Sequence, residues 1–239
     1  MVPPGPVPIT STPLSSLDIP GCSQPLQVLW RDRTLLVVCK PSGISSQSER
    51  AGDADVLAAL AATEGPLWCV HRLDRPASGL LALARTREAA AHLSAQLERR
   101  AARRSYAAVC VAPGATADEA TWDRPLDGKP ATTRVRWLGR AEGMAAAWLQ
   151  LDSGRLHQIR RHASAAGSPL LGDRRYAGDA GRWWPRLALH AAALELEHPE
   201  TGQRLAWASP IPPDLAALWA RAGGPEPLPS TTTEPPPSR

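Results

Sequence analysis

Between residues 26 and 210 short apolar runs recur, each broken by polar residues, glycine or proline. Gln27–Trp30, Leu35–Cys39, Leu67–Val70, Leu80–Ala84, Tyr106–Val111, Thr132–Leu138, Ala145–Leu151, Leu187–Leu196 and Arg204–Trp207 have the length and side-chain content of β-strands. Helical periodicity is rarer. Asp53 or Asp55 is placed to cap a helix over Val56–Ala62, and Thr86 a longer one over Arg87–Ala102, where Ala90, Leu93 and Leu97 share a face. A third helix is predicted from Leu156 to Ala166, with Leu156, Ile159 and Ala163 on one side. Pro213 and Asp214 open a last one over Leu215–Ala222. Many strands with few intervening helices predict an α+β fold: a largely antiparallel mixed sheet flanked by helices, rather than a regular βαβ alternation.

At 239 residues, 43% hydrophobic and 21% charged, the chain is long enough for a sizeable core. With no phenylalanine and 9 tryptophans, that core must be built from Trp, Leu, Val and Ala. Of the 25 prolines, 7 fall in residues 1–25 and 9 in residues 210–239. The composition therefore divides the chain into a disordered Pro-rich tail (1–25), one domain (26–221) and a second Pro/Thr-rich tail (222–239). No apolar stretch approaches the ~18 residues of a membrane helix, and the N-terminus lacks the basic and apolar regions of a secretory signal. Cys22, Cys39, Cys69 and Cys110 form no CxxC or Cys/His cluster, and three of them sit in apolar runs. Reduced core thiols in a cytoplasmic protein, with no metal site, are the expectation.

The formal charge is only +4, but it is carried by 27 Lys and Arg, of which just Lys40 and Lys129 are lysine. The arginines cluster: Arg99, Arg100, Arg103 and Arg104; Arg155, Arg160 and Arg161; Arg174, Arg175, Arg182 and Arg186. A guanidinium fork suits phosphates and base edges better than an ammonium does. The clustering favours a polyanionic partner, although a solvated basic helix face accounts equally well for any one group.

Two segments place polar groups where burial would be costly. In Leu67–Arg85, an apolar strand runs into His71-Arg72-Leu73-Asp74 and then, through Pro76, Ser78 and Gly79, into another apolar strand. This makes Asp74 a candidate carboxylate in a cleft, with Arg72 or Arg75 beside it, against the plainer reading of a turn-capping Asp. In Ser153–Asp173, Gly154 allows a tight entry to a helix carrying Arg155, His157, Gln158, Arg160 and Arg161. A third segment, Arg103-Arg104-Ser105-Tyr106, opens an apolar strand with one of only two tyrosines.

In order, KPSG (40–43), HRLDRPASGLLAL (71–83), RSYAAV (104–109), GRLHQIRRH (154–162) and GSPLLGD (167–173) closely resemble the RluA family of pseudouridine synthases, which act on ribosomal and transfer RNA. The resemblance runs over roughly residues 26–210, and the motif forms look most like the tRNA-modifying branch. It implies a catalytic domain with a central RNA-binding cleft. Asp74 would be the catalytic aspartate, Arg155 its ion-pair partner, and Tyr106 the ring stacked under the target uracil. Arg72, Arg75, Arg103, Arg104, Arg160 and Arg161 would bind RNA, with His71, Leu73 and Leu171 lining the pocket. Ala77 and Leu156 stand where the family usually has Thr, Arg104-Ser105-Tyr106 where it has Lys-x-Tyr, and Ile44-Ser45-Ser46-Gln47 where a histidine often follows KP-x-G. With no additional RNA-binding module expected in the first 25 residues, the catalytic domain would bind tRNA or rRNA alone, as a monomer.

Pseudouridine formation breaks the bond from C1′ to N1, turns the uracil and joins C1′ to C5. It needs no donor, so no cofactor is expected. It does need an ionised carboxylate that attacks C1′ or removes a sugar proton, an acceptor for the C5 proton (Tyr106 or a water it holds), and a base lifted out of its stack at a few kcal/mol. The competing readings are weaker. An RNA chaperone would have no use for Asp74, Arg155 and Tyr106 together. A kinase loop fails on the Leu before the Asp and the missing Asp-Phe-Gly. A glycosidase lacks a second carboxylate near Asp74.

Overall fold

The computed structural model describes residues 7–9, 12–48, 54–114, 116–226 and 228. Along the chain the elements are β1 (Val7–Ile9), β2 (Ser15–Leu17), β3 (Leu26–Arg31), β4 (Leu35–Lys40), α1 (Val56–Glu64), β5 (Trp68–Cys69), β6 (Ser78–Ala84) and α2 (Arg87–Glu98). There follow β7 (Arg103–Val111), β8 (Glu119–Trp122), β9 (Thr133–Ala141), β10 (Met144–Leu151), α3 (Gln158–Ala165), a 3-10 turn (Gly178–Arg182), β11 (Leu189–Glu197), β12 (Arg204–Ala208) and α4 (Pro213–Arg221). The fold is α+β on one mixed, mostly antiparallel sheet in the order β2-β3-β4-β6-β11-β7-β10-β9-β8, with β12 against β11, β1 against β12 and β5 against β6.

Two half-sheets meet at a narrow seam. β6 and β11 run parallel over only two residue pairs, Ser78 with His190 and Gly79 with Ala191. Beyond them β6 turns to β5 and β11 turns to β12. The seam is polar inside: buried His190 bonds Ser78 Oγ at 2.9 Å and Ser209 Oγ at 3.1 Å. It also demands glycine. Gly79 has φ +113°, and a Cβ there would lie 2.3 Å from the carbonyl oxygen of Ala191. This accounts for the Ser-Gly that follows the HRLD segment.

Period-2 alternation then supplies separate cores on the two faces. From β7, Tyr106, Ala108 and Cys110 face one core, shared with α1 and α3, while Ala107 and Val109 face the layer under α4. From β4 and β6, Leu36, Val38, Leu81 and Leu83 join the first core, and Leu35, Val37, Leu80 and Ala82 pack under α2. Tryptophans fill the space phenylalanine would otherwise take: Trp207 and Trp219 are fully buried, and Trp30 meets Trp207 edge-on at 6.0 Å.

Several boundaries depart from the sequence pattern, each for a local reason. Asp55, not Asp53, caps α1, accepting from Ala58 N at 2.7 Å. α2 stops at Glu98 rather than running to Ala102. Arg100 turns left-handed at φ +61°, and Ala101 N and Arg100 N return to the carbonyls of Gln96 and Leu97, closing the helix end. α3 starts at Gln158, not Leu156, because His157 is itself left-handed. The expectation of a disordered segment over residues 1–25 is corrected for the described part: β1 pairs with β12, β2 pairs with β3, and Ile19 joins the core. The segment's strands, three residues each and proline-flanked, are too short for an alternating pattern to be read. At the other end Ala222 is buried under the sheet, whereas the rest of the expected tail, apart from residues 223–226 and 228, lies outside the described residues.

Candidate active site

The turn His71–Ala77 delivers the chain from β5 into β6 at the seam, and Asp74 sits at its apex. A hydrogen bond from Ala77 N to Asp74 O (3.0 Å) closes it. Buried Lys40 anchors it from below. Lys40 Nζ donates to the carbonyls of Pro41 (3.0 Å), Ile44 (2.8 Å) and Ala77 (2.7 Å), with Arg75 O at 3.4 Å. Burial pulls this amine down to about 7, while the surrounding carbonyls favour its ammonium form. Ser46 adds a second clasp, donating to Leu73 O and accepting from Leu73 N. The KPSG segment is therefore a cradle for the Asp74 turn.

Asp74 meets α3 across the seam. Arg160 Nη1 donates to Asp74 Oδ2 at 3.0 Å, and the same guanidinium grips Asp173 through Nε and Nη2, both at 2.8 Å. Asp173 is fully buried and also accepts from the backbone of Arg175 and Tyr176. With two carboxylates on it, Arg160 is held more firmly protonated than a free arginine. The ring of Tyr176 lies 5.1 Å from the guanidinium, and its hydroxyl bonds His157 Nδ1 at 2.9 Å, which turns His157 Nε2 to 3.9 Å from Asp74. Burial holds His157 below its ordinary range, so it is neutral at pH 7.

This overturns the expected Asp74–Arg155 pair. Arg155 precedes α3 and its Nε donates to Pro130 O, while Arg160 lies one helical turn in, beside Ile159 and Ala163, and is carried to the core-facing side. Gln158 explains why the chain turns there: its amide accepts from Ser153 Oγ and Arg155 N and donates to Thr132 O. His162 bonds Thr133 Oγ1 and Arg124 O. Thus the polar face of α3 is not a solvated basic face. Gln158, Arg160 and His162 are buried: Gln158 and His162 both meet Thr133 Oγ1, and Arg160 bridges Asp74 and Asp173.

An open cleft of about 890 Å³ lies over this pair, lined by Asp74, Tyr106, Arg160, Arg155, Arg72 and Arg104 among others, with His71 and Leu73 at its floor. Burial pushes the Tyr106 phenol above its ordinary 10, so it keeps its proton at neutral pH. His71 is held down to about 3 and accepts from Ala82 N through Nε2, plugging the gap where the sheet forks. Four expected positions are elsewhere. Leu171 is buried in the core under α4. Arg75 Nε is spent on Gly43 O. Arg161 forms a bidentate surface pair with Asp127. Arg103 faces away from Asp74, because it alternates with Arg104 and Tyr106 along β7. Of the two positions where Thr was expected, Ala77 is buried in the core, and Leu156 projects 62% exposed at the cleft rim.

Among the described residues no three His, Cys, Asp or Glu side chains converge as metal ligands, and no helix is long and apolar enough to cross a membrane.

The fold thus places one carboxylate at the joint of two half-sheets, held by a buried arginine and open to an arginine-rimmed cleft. Residues 34–165 match the model of the family described as RNA pseudouridylate synthase. The chain is 34% identical over 223 residues to the ribosomal large subunit pseudouridine synthase D of Nitrosomonas europaea (81% of this chain, 64% of that protein) and 35% identical over 228 residues to that of Pseudomonas aeruginosa (81% and 70%). It thus spans only part of the length of these relatives. In fold it is similar to human RNA pseudouridylate synthase domain containing 1, with a TM-score of 0.68 at 24% identity over 84% of this chain and 90% of that one. The chain belongs to the RNA pseudouridylate synthase family, of the RluA type.

Proposed function

We propose that the protein isomerises a uridine of ribosomal RNA to pseudouridine, with Asp74 as the catalytic carboxylate and Arg160 as the residue that holds it in place. The observation that carries this is the Asp74–Arg160–Asp173 arrangement at the floor of a cleft wide enough for an everted nucleoside. Arg160 does not depend on Asp74 for its orientation, because both its other nitrogens are fixed by buried Asp173. Asp74 therefore meets a preset donor that fixes the orientation of its carboxylate, as either attack at C1′ or removal of a sugar proton requires. Tyr106, protonated, offers a ring under the uracil. Arg72, Arg104 and Arg155 at the cleft wall supply charge for the phosphates that flank a base taken out of its stack. The cleft is complete within one chain, consistent with action as a monomer.

Ribosomal rather than transfer RNA is proposed because the relatives above carry that substrate in their names, which outweighs the motif-level likeness to the tRNA branch. The test is pseudouridine mapping of total RNA from cells lacking the gene, complemented with wild type or with Asp74→Asn. A large-subunit rRNA pseudouridine that vanishes and returns only with wild type supports the reading. A lost site in tRNA redirects it, and no lost site in any RNA overturns it.

A further inference from the structure

A second cavity, of about 590 Å³, lies on the reverse face of the half-sheet formed by β7, β10, β9 and β8. Alternation places it there: Trp148 opposes Ala107 and Arg136 across the strands, whereas Leu149 opposes Tyr106 on the catalytic face. Arg100, Arg103, Arg104, Arg134 and Arg136 line it against only Glu119 and Asp152, and Asp152 is already engaged by Arg134 at 3.0 Å. Among the described residues Arg103 and Arg136 enter no ion pair, even though Glu119 is the cross-strand neighbour of Arg136. Three donors of these lining residues lack an acceptor: Trp148 Nε1, Arg136 Nε and Arg104 Nε. A buried N–H left unpaired keeps the full desolvation penalty of the group, so such donors mark a place where an acceptor-rich ligand would be stabilising. Arg100, Arg104, Leu151 and Asp152 line both this cavity and the catalytic cleft, which makes the two continuous around the ends of β7 and β10.

We propose that this reverse-face groove holds the phosphodiester backbone of the same RNA strand, several nucleotides away from the uridine at Asp74. Arg136 and the Trp148 N–H would be donors to phosphate or ribose oxygens. The proposal rests on the RNA-modifying reading above and adds a second anchoring site to it. Guanidiniums and an indole N–H, all donors and none acceptors, fit a phosphate backbone better than a base edge, so this groove would grip without reading sequence.

The test uses the full chain and fluorescein-labelled oligouridylates of about 5 and about 12 nucleotides, the shorter filling the cleft alone and the longer able to reach the groove. Wild type should bind the longer RNA at least tenfold more tightly. Arg136→Gln with Trp148→Phe should remove most of that increment, lower the salt slope for the longer RNA by about 0.7 for each phosphate no longer neutralised, and leave the shorter RNA's affinity within twofold. Both substitutions retain most of the packing bulk, and an unchanged thermal midpoint reports an intact fold. Equal loss for both lengths, or no loss for the longer one, overturns the groove assignment. An acidic peptide is the other occupant this charge would accept, and tighter binding of oligoglutamate than of the longer RNA also overturns it. Tritium release from C5-labelled rRNA by wild type separates the two readings. Release with no length increment removes the groove alone, and no release removes the catalytic reading itself.

Discussion

Arg160→Lys is the substitution that most sharply distinguishes the observed clamp from the pairing expected of Arg155. The guanidinium spends Nε and Nη2 on Asp173 and Nη1 on Asp74. A lysine keeps the charge, but its single nitrogen cannot hold Asp173 in bidentate fashion and reach Asp74 at once. Buried Asp173, which has no access to water, should retain the ammonium, and Asp74 should lose its donor. A charge-assisted hydrogen bond is worth about 1.5–3 kcal/mol. If that stabilisation is expressed in the transition state, kcat falls roughly 10- to 150-fold, with KM little changed because Arg160 lies below the RNA phosphates rather than against them. The Coulomb attraction at a separation of 3.0 Å, about 5.5 kcal/mol at an effective dielectric of 20, sets the upper bound. Single-turnover tritium release from C5-labelled rRNA gives kcat, fluorescence anisotropy gives affinity, and a melting curve within a few degrees of wild type shows that the fold survives. Arg155→Ala, run alongside, should cost less than about fivefold in kcat. The reasoning is refuted if Arg155→Ala abolishes turnover while Arg160→Lys retains it.

Three further outcomes follow from the packing. Gly79→Ala, with its Cβ driven into the Ala191 carbonyl at a positive φ, should destabilise the protein by more than about 4 kcal/mol and yield insoluble or urea-sensitive protein. Lys40→Met strips the donor from three carbonyls under the Asp74 turn. It should lower Tm by roughly 5–10 °C, corresponding to about 2–3 kcal/mol, and reduce activity beyond what the stability loss explains. His71 and His190 are each held neutral down to about 3 against an ordinary 6.5. The unfolded chain therefore binds more protons below pH 6.5, so the stability they contribute is full above that value and drains away as pH falls towards 3. Urea titrations at pH 7.5 and 5.0 should differ by about 2 kcal/mol for each histidine, and His190→Asn should remove its share of the difference.

Strand positions and the α+β class are readable from the chain because apolar runs report burial directly: every one of the nine runs is a strand or contains part of one. The place of Asp74 at the joint of two strands is legible from the apolar runs on either side of it, whereas any role beyond that of a turn-capping Asp comes from the likeness of the HRLD segment. The partner of Asp74 is not legible. Arg155 and Arg160 sit in one motif, and choosing between them requires knowing that His157 turns left-handed and starts the helix at Gln158, a fact no propensity carries. The clue that is present is Ile159 and Ala163 flanking Arg160 at helical spacing, which puts that arginine on the buried side. Asp173, Tyr176 and Lys40 escape notice as supports because each acts through a neighbour distant in sequence, as in the reach from Lys40 to Ala77. The strands before residue 25 escape for a different reason: they are only three residues long and proline-flanked, too short for an alternating pattern to be read.

The measurement that bears most directly on the account is tritium release by Asp74→Asn alongside its RNA affinity. The amide preserves the shape of the side chain and its bond to Arg160 while removing the charge. Release should fall to background with affinity for rRNA within about threefold of wild type, since the phosphates are held by arginines at the cleft wall. Turnover by a well-folded Asp74→Asn protein at even a tenth of the wild-type rate would contradict it.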